Sequence, residues 1–154
     1  MKKIMIPLLL SMSSISVAAG ANVLFFQAAA DASITKTAKN SYTLSVQNPT
    51  QYVTYFTDRP VRKSGLVALP EFLSLWTDQN RANNFAKNPP NVAINMVLAQ
   101  GKEQNVVVEV SKPTYTNNTL NYQIRTLDNK SLDSGHLKHL VMFFDDIHWN
   151  PGGF

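Results

Sequence analysis

The chain has 154 residues, 44% of them apolar and 16% charged, with a formal charge of +4 and no cysteine. This describes one folded domain with enough chain for a real core, and it excludes a disordered chain, a disulfide scaffold and a cysteine nucleophile. Nucleic acid is a poor partner too: without Lys2 and Lys3 the count is 12 basic against 10 acidic residues, about +2, and there is no run of like charges.

Met1 to Ala21 has the layout of a secretory signal peptide. Lys2-Lys3 is the positive start, Ile4-Met5-Ile6-Pro7-Leu8-Leu9-Leu10 opens the apolar stretch, and Ala19-Gly20-Ala21 offers small residues for cleavage, with Ser16-Val17-Ala18 nearly as good. Ser11, Ser13, Ser14 and Gly20 leave the segment short and weakly apolar for a bilayer span of ~20 residues. The expectation is an exported bacterial protein, periplasmic or secreted, with no membrane contact after cleavage. No lipid-modified cysteine anchors it, and one β-rich domain covers 22–154. Asn117-Asn118-Thr119 matches a glycosylation sequon but reads as turn chemistry here.

Val23-Leu24-Phe25-Phe26 opens the domain as a strand or an N-terminal arm, and Ala32-Ser33-Ile34-Thr35 follows an Ala-rich run. Ser41 to Gln47 alternates, with Tyr42, Leu44 and Val46 on one face. Asn48-Pro49-Thr50 is a turn, and Tyr52 to Thr57 returns, so the pair reads as an antiparallel hairpin. Pro60 cannot donate to a ladder and ends that pairing, leaving Arg62-Lys63-Ser64-Gly65 as loop. Leu69 to Asp78 predicts a helix, with Pro70 in its first turn, Glu71 at its positive end, and Leu69, Phe72, Leu73 and Trp76 on one stripe. Asn80 to Pro90 is a polar linker closed by Pro89-Pro90.

The second half is nearly all strand. Asn91–Ala99, Asn105–Ser111 and Thr119–Thr126 alternate with period two, separated by a turn at Gln100–Glu103 and a loop at Lys112–Asn118. After a loop at Leu127–Ser134, Leu137 to Phe144 is apolar on both faces from Leu140 onward, which predicts a central strand covered on both sides. Six or seven short strands and one inserted helix at about 69–78 make a mainly β domain: a single antiparallel β-sandwich or partly open barrel. A sheet with the helix across one face is the alternative.

Two charged corners are candidate binding residues. Asp58, Arg59 and Arg62 follow an apolar strand, and two guanidinium forks there can clamp a carboxylate, a phosphate or an acidic sugar. The structural alternative has Asp58 accepting backbone N–H bonds of the turn and Arg59 paired with a carboxylate on a neighbouring strand. The second corner holds Asp145, Asp146 and His148. In a regular strand Asp146 and His148 share a face while Asp145 points away, so at most two ligands converge on a metal. Pairing of Asp145 or Asp146 with Arg59 or Arg62, with Trp149 and Phe154 tucked down, accounts for the same residues structurally. His136 and His139, three apart on an extended segment, fall on opposite faces. The Asn80–Asn91 and Thr114–Thr119 loops, the latter with Tyr115, have the amide and aromatic content of a sugar-binding surface.

No nucleophile elbow, HExxH pair, phosphate-cradling glycine loop or dinucleotide fingerprint is present, and three glutamates leave little for a paired-carboxylate hydrolase. The sequence therefore favours a non-catalytic binding or interaction module without a cofactor, its partner an anionic small molecule or another protein. The competing reading is a metal-dependent or acid–base hydrolase using Asp145, Asp146 and His148.

Overall fold

The computed structural model describes residues 21–81 and 84–149, without the side chains of Asp146, His148 and Trp149. Residues 1–20 of the expected signal segment 1–21 and the tail beyond Trp149 lie outside the described residues, while Ala21, the segment's last residue, is described as the start of a strand. The described residues form nine strands: β1 Ala21–Ala29, β2 Ala32–Ala38, β3 Ser41–Gln47, β4 Tyr52–Thr57, β5 Ser64–Ala68, β6 Asn91–Leu98, β7 Glu103–Thr116, β8 Thr119–Thr126 and β9 Gly135–Trp149. Helix α1, Leu69–Leu73, and a 3₁₀ turn, Ser74–Trp76, connect β5 to the rest. Every pairing is antiparallel.

The strand order is β2-β3-β8-β7-β6-β9-β1-β4-β5, and β2 also pairs with β9. That extra pairing closes six strands into a ring, from which β1, β4 and β5 continue as an open flap. This is the partly open barrel. Its geometry comes from one long edge: β1 and β2 run in a single register along β9, with Ala29 opposite Leu140 and Ala32 opposite Leu137. At Ala30-Asp31 the line bends. On its other edge β2 takes β3 into the ring, while β1 takes β4 into the flap.

That arrangement corrects the expected hairpin of Ser41–Gln47 with Tyr52–Thr57. The two strands do not pair. They are successive segments of one returning line, broken at Asn48, whose φ of +47° redirects the chain. β3 lies between β2 and β8, β4 between β1 and β5. Four boundaries shift as well. Ser64 and Gly65 belong to β5, because the turn after Thr57 closes with Thr57 N–H to Lys63 O at 2.8 Å. β7 runs on to Thr116, its Lys112-Pro113 step absorbed as a bulge rather than ending the strand. The helix stops at Leu73 and tightens into 3₁₀. β9 extends to Trp149.

Inward residues follow the predicted alternation and make one core. Phe72 is its hub, edge-on to Phe25 and Phe144 at 5.1 Å each and to Trp76 at 5.4 Å. Trp76 in turn meets Phe144 and Tyr122. The helical segment thus fills the mouth where the ring opens into the flap, and truncating Phe72 removes contacts worth about 3–5 kcal/mol.

Candidate functional site

The Asp58–Arg62 corner forms the tip of the β4–β5 hairpin. Asp58, Arg59 and Arg62 are all exposed. Arg62 N–H donates to Asp58 O at 2.9 Å, and Arg62 takes φ +50°. The expected cap by the Asp58 carboxylate is replaced by the neighbouring hydroxyl: Lys63 N–H donates to Thr57 Oγ1 at 2.8 Å, on a buried threonine. Among the described residues no ion pair joins Asp58, Arg59 or Arg62 to another side chain, so the expected pairing of either arginine with Asp145 is not made.

Asp145 lies on β9 where the register slips. Phe25 opposes Phe144 but Val23 opposes Ile147, so β9 carries one more residue than β1 across Asp145-Asp146. Phe144 and Ile147 both turn inward and Asp145 outward. Strict alternation, from which Asp146 and His148 were expected to share a face, does not apply across a bulge. The side chains of Asp146 and His148 lie outside the described residues. Register still links the two corners: Thr57 opposes Val23, and Val23 opposes Ile147. The start of the hairpin tip is thus two strands, about 10 Å, from the end of β9.

His136 and His139 are both exposed rather than on opposite faces, because β6 skips Lys138: Val97 opposes His139 and Leu98 opposes Leu137. His136 Nδ1 lies 3.8 Å from Asp31. Among the described residues no three His, Cys, Asp or Glu side chains gather around a common point. Of the proposed sugar loops, Asn84 is buried with its amide bonded internally, and Tyr115 donates to Asn118 Oδ1 at 2.9 Å.

A larger feature than either corner was missed. β9 is central in strand order, as expected, but it is not covered on both sides. An outward row crosses six strands: Leu66, Thr54, Phe26, Phe143, Ala93 and Val107, each opposite the next. It spans about 24 Å at ~4.8 Å per strand. Leu66 is 65% exposed, Val107 50% and Phe143 44%. Phe26 and Phe143 pack with their rings tilted and centroids 5.1 Å apart, and Phe56 and Tyr52 flank the row on β4. Two shallow hollows of about 220 and 520 Å³ sit on either side of Val107.

The ring's opposite exterior contrasts sharply. On β3 and β8, Thr43 pairs with Gln123, Ser45 with Asn121 and Gln47 with Thr119, all through side-chain hydrogen bonds. Hydroxyls and amides cover that side, while rings and branched carbons cover the other. The sequence signal for the apolar side was present in the two-sided strands Tyr52–Thr57 and Leu140–Phe144. It reads equally as burial, and only the sheet's layering distinguishes the two. Comparison with known protein families, curated proteins and solved structures finds no match to this chain.

Proposed function

We propose that this chain is an exported, non-catalytic interaction module that docks a protein partner on the outer face of β7, β6, β9, β1, β4 and β5. The observation that carries this is the exposed row from Leu66 to Val107. Contiguous apolar surface on a soluble domain marks an interaction site far more often than scattered apolar residues do. The Asp58–Arg62 tip borders the face at one end, beside the exposed Phe56 and Val61. Its two guanidinium groups favour a partner whose apolar contact is flanked by carboxylates. In this reading Arg59 and Arg62 act as rim cations, Asp145 sits beside the hollow lined by Leu24, Ala93 and Phe143, and Asp58, Asp146 and His148 belong to the same end of the sheet.

A photo-crosslinking residue placed at Leu66 or at Phe143, in cells making the full chain, should give an adduct of one defined mass. The same residue at Thr43, on the hydroxyl-covered side, should give none. Phe143→Asp should abolish the Leu66 adduct while the melting temperature holds. Equal adducts from all three positions, or none from any, would reject the reading. An adduct at twice the chain's own mass assigns the face to self-association. Export is checked by sequencing the N-terminus of protein from the cell exterior or periplasm, with the first residue expected between 19 and 22.

A further inference from the structure

Three segments meet around a pocket of about 410 Å³: the end of the 3₁₀ turn at Trp76, the loop through Phe85 and Pro89, and the β7 bulge at Lys112-Pro113. The volume falls within the ~300–1,000 Å³ of small-molecule sites. Trp76 and Phe85 form its back wall, their ring centroids 4.7 Å apart. They are 6% and 3% exposed, so the pocket reaches the core instead of resting on a surface crease.

The walls are held before any ligand arrives. Trp76 Nε1–H donates to Val110 O at 3.4 Å, and Phe85 N–H to Leu75 O at 2.7 Å. The buried Asn84 organises the loop: its Nδ2 donates to Asp78 O and Arg81 O at 3.2 Å each, and its Oδ1 accepts Lys87 N–H at 2.8 Å. The described parts of the loop, tied to one another by these hydrogen bonds, lose little freedom on binding.

Among the described residues that line the pocket, one is charged. Lys112 lines the pocket, and among the described residues no carboxylate pairs with it. Its backbone is unusual. β8 meets β7 as Ser111 opposite Gln123 and then Thr114 opposite Asn121, so one extra residue is carried at Lys112-Pro113. Lys112 takes φ +46° there. A side chain in the left-handed region carries a steric cost that glycine would not, and bulges with such residues re-aim side chains at functional sites. Here the bulge places a cation at the lip of a pocket whose other lining side chains are neutral.

We infer that this pocket binds a small aromatic carboxylate, its ring against Trp76 and Phe85 and its carboxylate at Lys112 Nζ. The aromatic wall selects a flat apolar body, since offset and edge-on ring contacts add to simple burial. The lone ammonium selects the anion over its neutral isostere. The site is separate from the outer apolar face and stands whether or not that face docks a partner.

The test uses the folded full chain and two probes, phenylacetate and phenylacetamide, followed by ¹H–¹⁵N NMR. Phenylacetate should shift the Trp76 indole N–H and the Lys112 amide saturably, and bind more tightly than phenylacetamide. Lys112→Met should weaken phenylacetate by about three- to tenfold, as expected for one partly solvated charge contact, and leave phenylacetamide unchanged. Lys112→Arg should restore most of the loss. No saturable shift with either probe overturns the site. Equal binding of the two probes, or phenylacetate binding indifferent to Lys112→Met, overturns the anion assignment. Phe85→Glu, placing a second charge on the aromatic wall, should abolish binding of both; if it unfolds the chain, the Lys112 pair of variants still decides.

Discussion

Tyr122 and Gln27 make a buried polar contact beside the apolar core, and it can be used to test the packing. Tyr122 Oη donates to Gln27 Oε1 at 2.8 Å, and neither residue reaches solvent appreciably. Gln27 Nε2 has no hydrogen-bond partner among the described residues. Tyr122→Phe keeps the ring against Trp76 and Phe144 and leaves the Gln27 carbonyl unpaired as well. The expected cost is about 1–3 kcal/mol, the penalty of stranding a buried acceptor. Gln27→Leu alone strands the phenol instead. The double variant strands nothing and should return to within about 0.5 kcal/mol of the parent or exceed it, a coupling of opposite sign to the single losses. Urea unfolding followed by circular dichroism measures all four corners of the cycle.

The same residue predicts an alkaline effect. Burial pushes the Tyr122 phenol far above its ordinary value of 10.0. Above about pH 10 the unfolded chain releases this proton and the folded chain keeps it. The unfolded state then binds fewer protons, so stability falls as pH rises, by up to about 1.4 kcal/mol per pH unit from this one group. Below about pH 10 its contribution is fully present. Tyr122→Phe should flatten that part of the alkaline slope. A neutral Tyr122→Phe, a double variant no better than the singles, or an unchanged slope would each refute the assignment of a buried, singly bonded phenol.

Three further outcomes are expected. Gly65 lies under the Tyr55 ring, and an added Cβ would stand 2.7 Å from Tyr55 Oη and 2.9 Å from Cζ. Gly65→Ala should therefore cost about 1–3 kcal/mol in thermal or urea unfolding, and a stabilised variant would show that the ring does not cross the strand. Arg62→Gly, at φ +50°, should raise stability by about 0.5–1 kcal/mol, relief of left-handed strain offset by added freedom of the unfolded chain; a clear loss would mean that the side chain itself supports the hairpin tip. Calcium or zinc should leave the melting temperature unchanged. A metal at a hundred times its Kd adds about 2.7 kcal/mol, so a shift of several degrees would favour the hydrolase reading built on Asp145, Asp146 and His148.

Legibility in the sequence varied by element. Thr119–Thr126 stood out because Leu120, Tyr122 and Ile124 face inward and Asn121, Gln123 and Arg125 outward, so local alternation and final burial agree. The Asn117-Asn118 turn was equally plain, since both residues hold positive φ, which asparagine tolerates. Lys112-Pro113 misled for a local reason. A proline without an N–H reads as a strand end, yet a bulge lets the ladder resume one residue later.

The candidate site was less legible. Asp58, Arg59 and Arg62 could be picked out as a charged corner, but whether they lie spent in pairs or exposed at a hairpin tip depends on strands distant in sequence. The pocket walled by Trp76 and Phe85 draws on three separated segments, so no local spacing announces it.

Period-two patterning, turn residues and the absence of cysteine determined by themselves that this chain would be a β-domain held by its packed interior. Those signals act between near neighbours and need no knowledge of the rest of the chain. Which strand meets which, and which apolar face is left bare, was decided only when Ala30-Asp31 bent one long line so that its two halves took different partners. Burial is a property of layers: the same side chains on β9 are core where α1 and the ring lie over them, and open surface where nothing does.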